Sequence, residues 1–132
     1  MNKQPLYLDT ASTTPVAPEA IAAMLRYLGS SGCYYNPSST NHLPGQEAAV
    51  AVSTFRTVIG ASIGCEPEEV VFTSGATEAN NLALRGIAHA HASQGKHIIT
   101  SLIEHKSVLE TCRVLERKGF ALTYLKPNSR GG

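Results

Sequence analysis

The stretch EEVVFTSGATEANNLALRG, residues 68–86, decides the fold prediction. Its apolar run at residues 70–72 contains β-branched and aromatic side chains, which favour a buried strand. Ser74 and Gly75 interrupt this run, and after Thr77 the apolar residues recur close to helical spacing. The stretch therefore predicts a strand, a tight turn of small residues and the start of a helix.

The predicted turn has the chemistry of an anion site. A helix start exposes free backbone N–H groups and the positive end of the helix dipole, which together suit a phosphate. Gly75 permits positive φ and close approach, and the hydroxyl of Thr77 adds a donor. An ordinary strand-to-helix turn capped by Ser or Thr has the same local pattern. Both interpretations stay open on this pattern alone.

Alternating strands and helices continue to the end of the chain. The predicted elements are a strand at 69–73, a helix at about 77–93, a strand at 96–101, a helix at 105–119 and a strand at 120–125. This βαβαβ order predicts an α/β fold with a mostly parallel sheet.

The predicted organisation has three regions. Residues 1–15 form an extended segment, and residues 16–66 hold two helices separated by a long loop rich in Gly, Pro, Ser and Asn. The second of these helices is predicted from the run at 46–64, with its stop near Gly64. Residues 67–132 are an incomplete βαβαβ unit. Three parallel strands leave an outer strand unpaired, which predicts that further protein or another chain completes the sheet.

Composition narrows the function classes. The 132 residues are 42% apolar and 16% charged with a net charge of +1, which is typical of a globular domain. The absence of a basic run gives no support for binding nucleic acid, and no apolar run reaches the roughly 18 residues of a membrane span. Three widely spaced cysteines favour the reducing cytoplasm. The sequence has no C-x-x-C pair, so no metal site is expected.

His105 is the second candidate site residue. It follows the predicted strand at 96–101, and the carboxyl ends of parallel strands meet at the edge where ligands collect in open α/β sheets. It could stack on a planar ring or carry protons. It could equally be an exposed residue at a helix start, where Ser101 and Glu104 have the spacing of a capping box.

Four motifs together resemble the cysteine desulfurases, which belong to the class V aminotransferase group of fold-type I pyridoxal-phosphate enzymes. They are LYLDTASTTPVAPEA at 6–20, NPSSTNHLPGQEA at 36–48, VFTSGATEANNLALRG at 71–86, and the segment at 95–125. The order matches the family's, and the resemblance is closest to the iron–sulfur-cluster-assembly branch. It implies a partial three-layer α/β/α large domain of a pyridoxal-phosphate-dependent transferase.

The resemblance also assigns residues. It implies that Gly75, Ala76 and Thr77 hold the phosphate of pyridoxal 5'-phosphate. It implies that His105 stacks on the pyridine ring and takes part in proton transfer, and that Asn36 lies near the substrate mouth.

By resemblance, the parent enzyme converts L-cysteine to L-alanine and passes the sulfur to an enzyme cysteine. A sulfur acceptor such as an iron–sulfur scaffold protein and a homodimeric state are also implied. The family's Schiff-base lysine and nucleophilic cysteine are expected beyond Gly132. Lys106 is not assigned as that lysine, because its flanks match the stacking-histidine segment. None of the three cysteines lies in a segment that matches the nucleophile.

The 132 residues are therefore expected to be about the first third of such an enzyme, inactive alone and binding the cofactor weakly or not at all. One alternative is a non-catalytic module that pairs through an open sheet edge. Another is a selenocysteine lyase or a different class V enzyme.

Overall fold

The computed structural model describes residues 5–130. These form two compact units, one up to Val70 and one from Val71 onward, and each is described by itself. The sequence prediction places a boundary nearby, between residues 66 and 67. Residues 1–4 of the predicted segment 1–15, and residues 131–132 of the predicted region 67–132, lie outside the described residues.

The first unit is helical. It contains α1 (Pro18–Leu25), α2 (Leu43–Ile63) and a 3₁₀ helix (Pro67–Glu69). Each begins with proline in its first two positions, where a missing N–H costs no hydrogen bond and the fixed φ suits a helix. Helix α2 begins earlier than the run at 46–64 predicts, because His42 caps it and Pro44 is tolerated in its first turn.

Helix α2 ends at Ile63 and is capped by Gly64, where the prediction places its stop. Gly64 has φ 73°, a left-handed conformation that closes helices. Tyr27 meets Phe55 of α2 edge-to-face, with ring centroids 5.8 Å apart. Although α2 has 21 residues, no helix within residues 5–130 is both long enough and apolar enough to cross a membrane.

The second unit contains the sheet. Its elements are α3 (Ala76–Ala90), β1 (His97–Ser101), α4 (Lys106–Arg117) and β2 (Ala121–Leu125). Strands β1 and β2 are parallel, in a register that runs from the pair His97–Ala121 to the pair Ser101–Leu125. The prediction of an α/β fold with a parallel sheet is confirmed.

The predicted first strand at 69–73 is wrong for this structure. Glu69 ends the 3₁₀ helix, residues 70–73 belong to no strand, and the sheet of the described residues contains only β1 and β2. Apolar composition favours a strand, but a strand forms only beside a partner with free backbone groups. The side chains of Val71 and Phe72 are 61% and 48% exposed, so the burial that the pattern implied is not present.

The core of the second unit lies under α4. Cys112 and Leu115 are fully buried and Phe120 is 6% exposed, as the apolar side of the predicted helix implies. Burial raises the pKa of the Cys112 thiol, and the negative charge of Glu104 raises it further. Cys112 is therefore a packing residue.

An apolar cavity of about 260 Å³ borders the carboxyl-terminal half of α3. It is lined by Ala83, Leu84, Ile87, Ala88, His91, Gly95, His97, Ile98 and Phe120. None of the predicted site residues lines it. At about 1.5 Å rise per residue, its nearest α3 residue lies about 10 Å along the helix from Ala76. The cavity is therefore separate from the predicted site residues at the amino-terminal end of α3.

Candidate functional site

The first turn of α3 offers free hydrogen-bond donors. Gly75 precedes it with φ 156° and ψ −177°, a conformation that is essentially restricted to glycine. The N–H groups of a first helical turn have no partner within the helix. Within residues 5–130, no hydrogen bond engages the N–H of Ala76, the N–H of Thr77 or the hydroxyl of Thr77. A Cβ built on Gly75 would meet nothing within 4 Å, so the space beside this residue is open.

A carboxylate lies beside these donors. Oε2 of Glu78 accepts hydrogen bonds from the N–H and the hydroxyl of Ser74, both at 2.7 Å. The hydroxyl bond, followed by the backbone bond, lowers the pKa of Glu78. The donors of Ser74 are thus already satisfied, and an anion at this helix start would depend on the free donors of the first turn, those of Ala76 and Thr77 among them.

His105 caps α4. Its Nδ1 accepts a hydrogen bond from the N–H of Ser107 at 3.1 Å, and its side chain is exposed. The predicted capping box of Ser101 and Glu104 is therefore wrong. Ser101 is the last residue of β1, and its hydroxyl accepts a long 3.4 Å bond from the N–H of Ile103. The strand ends at Ser101 as predicted, but a turn at residues 102–104 follows it, so the helix cap falls at His105, four residues later.

Two polar contacts join α3 to α4 near their amino-terminal ends. The side-chain amide of Asn80 donates to the hydroxyl of Ser107 at 2.8 Å. The hydroxyl of Thr111 donates to Oδ1 of Asn81 at 2.9 Å. Because Asn80 lies one turn into α3 and Ser107 lies in the first turn of α4, the two helix starts are neighbours. The structure thereby brings the turn at residues 75–77 and His105 to the same end of the helix pair.

Sequence reasoning missed the residues that join the helices. Asn80 and Asn81 are poor helix formers in the middle of a helix, because their side chains compete for backbone hydrogen bonds. A pair of asparagines within an otherwise good helix was the available signal. Their partners, Ser107 and Thr111, are buried polar side chains with 7% and 3% exposure.

Asn36 belongs to the first unit, in the loop before α2. Its Oδ1 accepts from the N–H of Ser38 at 2.9 Å, and its carbonyl accepts from the N–H of Ser39 at 3.0 Å. The same loop ends where Nδ1 of His42 accepts from the N–H of Gly45 at 3.0 Å. A Cβ on Gly45 would lie 1.9 Å from the carbonyl oxygen of Ser39, so only glycine fits there. The side chain of Asn36 thus shapes a turn, and its role at a substrate mouth stays a prediction.

The second unit has an α/β fold with a candidate ligand site at the start of its helices. Comparison with known families identifies the family of the chain. The chain belongs to the aminotransferase class-V family, which matches residues 6–132.

The relatives confirm the resemblance predicted from the sequence. The chain is 51% identical to "Cysteine desulfurase IscS" of Shewanella loihica and 50% identical to the protein of that name from Vibrio vulnificus strain YJ016. Each match covers 98% of this chain and 32% of the relative. The chain therefore spans about a third of the length of these curated relatives.

Solved structures agree with this assignment. The structure titled "SspA in complex with cysteine" has 42% sequence identity and a TM-score of 0.77, covering 89% of this chain and 33% of that one. The structure titled "NIFS-LIKE PROTEIN" has 36% identity and a TM-score of 0.79, covering 90% and 32%. At these identities, the likeness extends to sequence as well as fold.

Proposed function

We propose that this chain is the cofactor-binding amino-terminal part of a cysteine desulfurase, which converts L-cysteine to L-alanine and passes on the sulfur. The observation that carries the proposal is that the amino-terminal ends of α3 and α4 are neighbours. This arrangement sets the free donors of Ala76 and Thr77 at the same end of the helix pair as the exposed ring of His105. The names of the relatives support the same activity.

The residues at this junction fit pyridoxal 5'-phosphate. Its phosphate needs several donors at a helix start, and the N–H groups of Ala76 and Thr77 and the hydroxyl of Thr77 are free there. Gly75 has no Cβ, and the space that a Cβ would fill is open, so its backbone is accessible. Its aromatic ring needs a flat partner, which the exposed imidazole of His105 can provide. When bound, the cofactor supplies the electron sink that makes cleavage of a C–S bond accessible.

Each candidate site residue has a distinct role in this proposal. Thr77 and the backbone of Ala76 would hold the phosphate. His105 would stack on the ring, and its Nε2, which no hydrogen bond engages within residues 5–130, would hold or move a proton. Asn36 orders the loop that we place near the substrate mouth.

The proposal also covers the cellular location, the oligomeric state, the sulfur acceptor and the substrate of the enzyme. We place the enzyme in the cytoplasm, where the three free cysteines of this chain would stay reduced. We propose a homodimer that delivers sulfur to an acceptor such as an iron–sulfur scaffold protein. L-cysteine is the proposed substrate, and an assay with L-selenocysteine would separate this activity from that of a selenocysteine lyase.

A chimera tests the proposal. The chain would replace the matching third of the Shewanella loihica relative, and alanine formed from L-cysteine would be measured. We expect the chimera to be active and its His105→Ala variant to lose most of that activity. The control variant Arg117→Ala, a change at the exposed end of α4, should keep the activity of the chimera. A folded chimera that forms no alanine, or an unaffected His105→Ala variant, would contradict the proposal. The 132-residue chain alone is expected to form no alanine above a boiled control.

A further inference from the structure

The hydrogen bonds around His105 determine which ring nitrogen carries its proton. The N–H of Ser107 points at Nδ1 of His105, 3.1 Å away. A backbone N–H can only donate, so Nδ1 must present a lone pair. In the neutral imidazole the hydrogen then lies on Nε2.

A second donor reinforces the same arrangement. The hydroxyl oxygen of Ser107 lies 2.8 Å from Nδ1 of His105 and 2.8 Å from Nδ2 of Asn80. The amide of Asn80 donates to that oxygen, which leaves the hydroxyl hydrogen directed to the imidazole. Ser107 is only 7% exposed, so water competes little for these bonds. The donors therefore run in one direction, from Asn80 to Ser107 to His105.

We infer that Asn80 and Ser107 are positioning residues that hold His105 as its Nε2–H tautomer. Nδ1 is committed to Ser107, so Nε2 is the nitrogen left to face a ligand. Within residues 5–130, no hydrogen bond engages that nitrogen. A fixed tautomer would present bound cofactor or substrate with a donor at a known atom. The part of this inference that concerns a ligand rests on the proposed function, whereas the tautomer does not.

The network predicts different effects on His105 for a substitution at position 80 and for one at position 81. Asn80→Asp places an acceptor where the amide donated, so the hydroxyl of Ser107 turns toward the carboxylate and away from His105. Asn81→Ala is the matched control, because it removes the neighbouring contact between α3 and α4 and leaves the donors to His105 in place. A merely structural role for Asn80 would give the two variants the same effect on His105.

Long-range ¹H–¹⁵N spectra of the histidine-labelled chain test this inference without cofactor. At about pH 8.5, where free histidine is neutral, they distinguish the two tautomers, and His105→Gln assigns the signal. We expect the Nε2–H form in the wild type and in Asn81→Ala. In Asn80→Asp and Ser107→Ala the ratio of Nε2–H to Nδ1–H should fall about fivefold, the effect of one neutral hydrogen bond. Ser107→Thr keeps the hydroxyl and should restore the ratio.

Two outcomes would overturn the inference. One is a His105 that is mainly Nδ1–H in the wild type, and the other is a ratio that Asn80→Asp, Ser107→Ala and Asn81→Ala leave equally unchanged. Backbone amide spectra recorded on the same samples show whether each variant is folded, and Ser107→Thr provides a readout if Ser107→Ala is not. Because no cofactor is present, a failed chimera with a fixed tautomer would refute the proposed function alone.

Discussion

Asn80 of α3 and Ser107 of α4 lie 27 residues apart in sequence, yet the amide of one donates to the hydroxyl of the other at 2.8 Å. This contact brings two helix starts together and joins the predicted phosphate turn to the predicted stacking histidine. A half-buried bond between neutral groups is worth about 0.5–1.5 kcal/mol. It therefore has a measurable share in the stability of the site.

A double-mutant cycle measures that contact. Asn80→Ala and Ser107→Ala should each lower the free energy of unfolding by about 1 kcal/mol, and the double variant should lose less than the sum. Urea denaturation gives the coupling energy. The pair Asn80→Ala and Thr111→Ala, which share no hydrogen bond, should be nearly additive and serves as the control. Additivity in the first pair would show that the contact is absent in solution.

The backbone at Gly75 gives a second prediction. Gly75→Ala should destabilise the chain by about 1–3 kcal/mol, because its φ of 156° is costly for any residue with a Cβ. Gly86→Ala is the matched change within the same helix, where a Cβ meets nothing within 4 Å. It should stabilise the chain by about 0.5–1 kcal/mol through better helix propensity. Equal effects of the two substitutions in thermal or urea unfolding would argue against the Gly75 conformation.

The carboxyl of Glu78 predicts a pH dependence. Its pKa in the folded chain is lowered below the ordinary value of 4.5 by the bonds from Ser74. The stability it contributes is therefore fully present above about 4.5 and is lost as pH falls through the folded pKa. Denaturation midpoints from neutral to acidic pH should fall less steeply in Glu78→Gln than in the wild type. Parallel profiles would show that Ser74 does not stabilise the charged carboxyl.

Tyr124 of β2 carries a hydroxyl that has no hydrogen-bond partner within residues 5–130 although the atom is buried. Burial raises the pKa of its phenol, with a smaller contribution from Glu116. An unsatisfied buried polar group costs about 1–3 kcal/mol, so Tyr124→Phe should raise the free energy of unfolding by about 1 kcal/mol. Tyr7→Phe is the control, because the Tyr7 hydroxyl donates to the carbonyl of Asp9 at 2.7 Å. A destabilised Tyr124→Phe would reveal a partner for the hydroxyl.

Local patterns predicted most of the elements but not their contacts. The helical spacing in α4 and the stop at Gly64 were readable because they depend on neighbours in sequence. The strand at 69–73 failed because strand formation depends on a distant partner, which composition does not reveal. The link from Asn80 to His105 through Ser107 was hidden for the same reason. Residues 75–77 and 105 were predicted as site residues from their chemistry and from the family resemblance. The structure adds the hydrogen bonds that connect α3 to His105.

The central claim is that the start of α3 and the ring of His105 serve one ligand that carries a phosphate. Its most direct test is a titration of the uniformly ¹⁵N-labelled chain with pyridoxal 5'-phosphate and, separately, with pyridoxal, up to millimolar concentration. The phosphorylated compound should shift the amides of Ala76 and Thr77 together with the ring of His105, pyridoxal should shift the amides far less, and Thr77→Val should weaken the response. Identical responses to both compounds, or phosphate-dependent shifts that leave residues 75–77 and His105 untouched, would contradict the account.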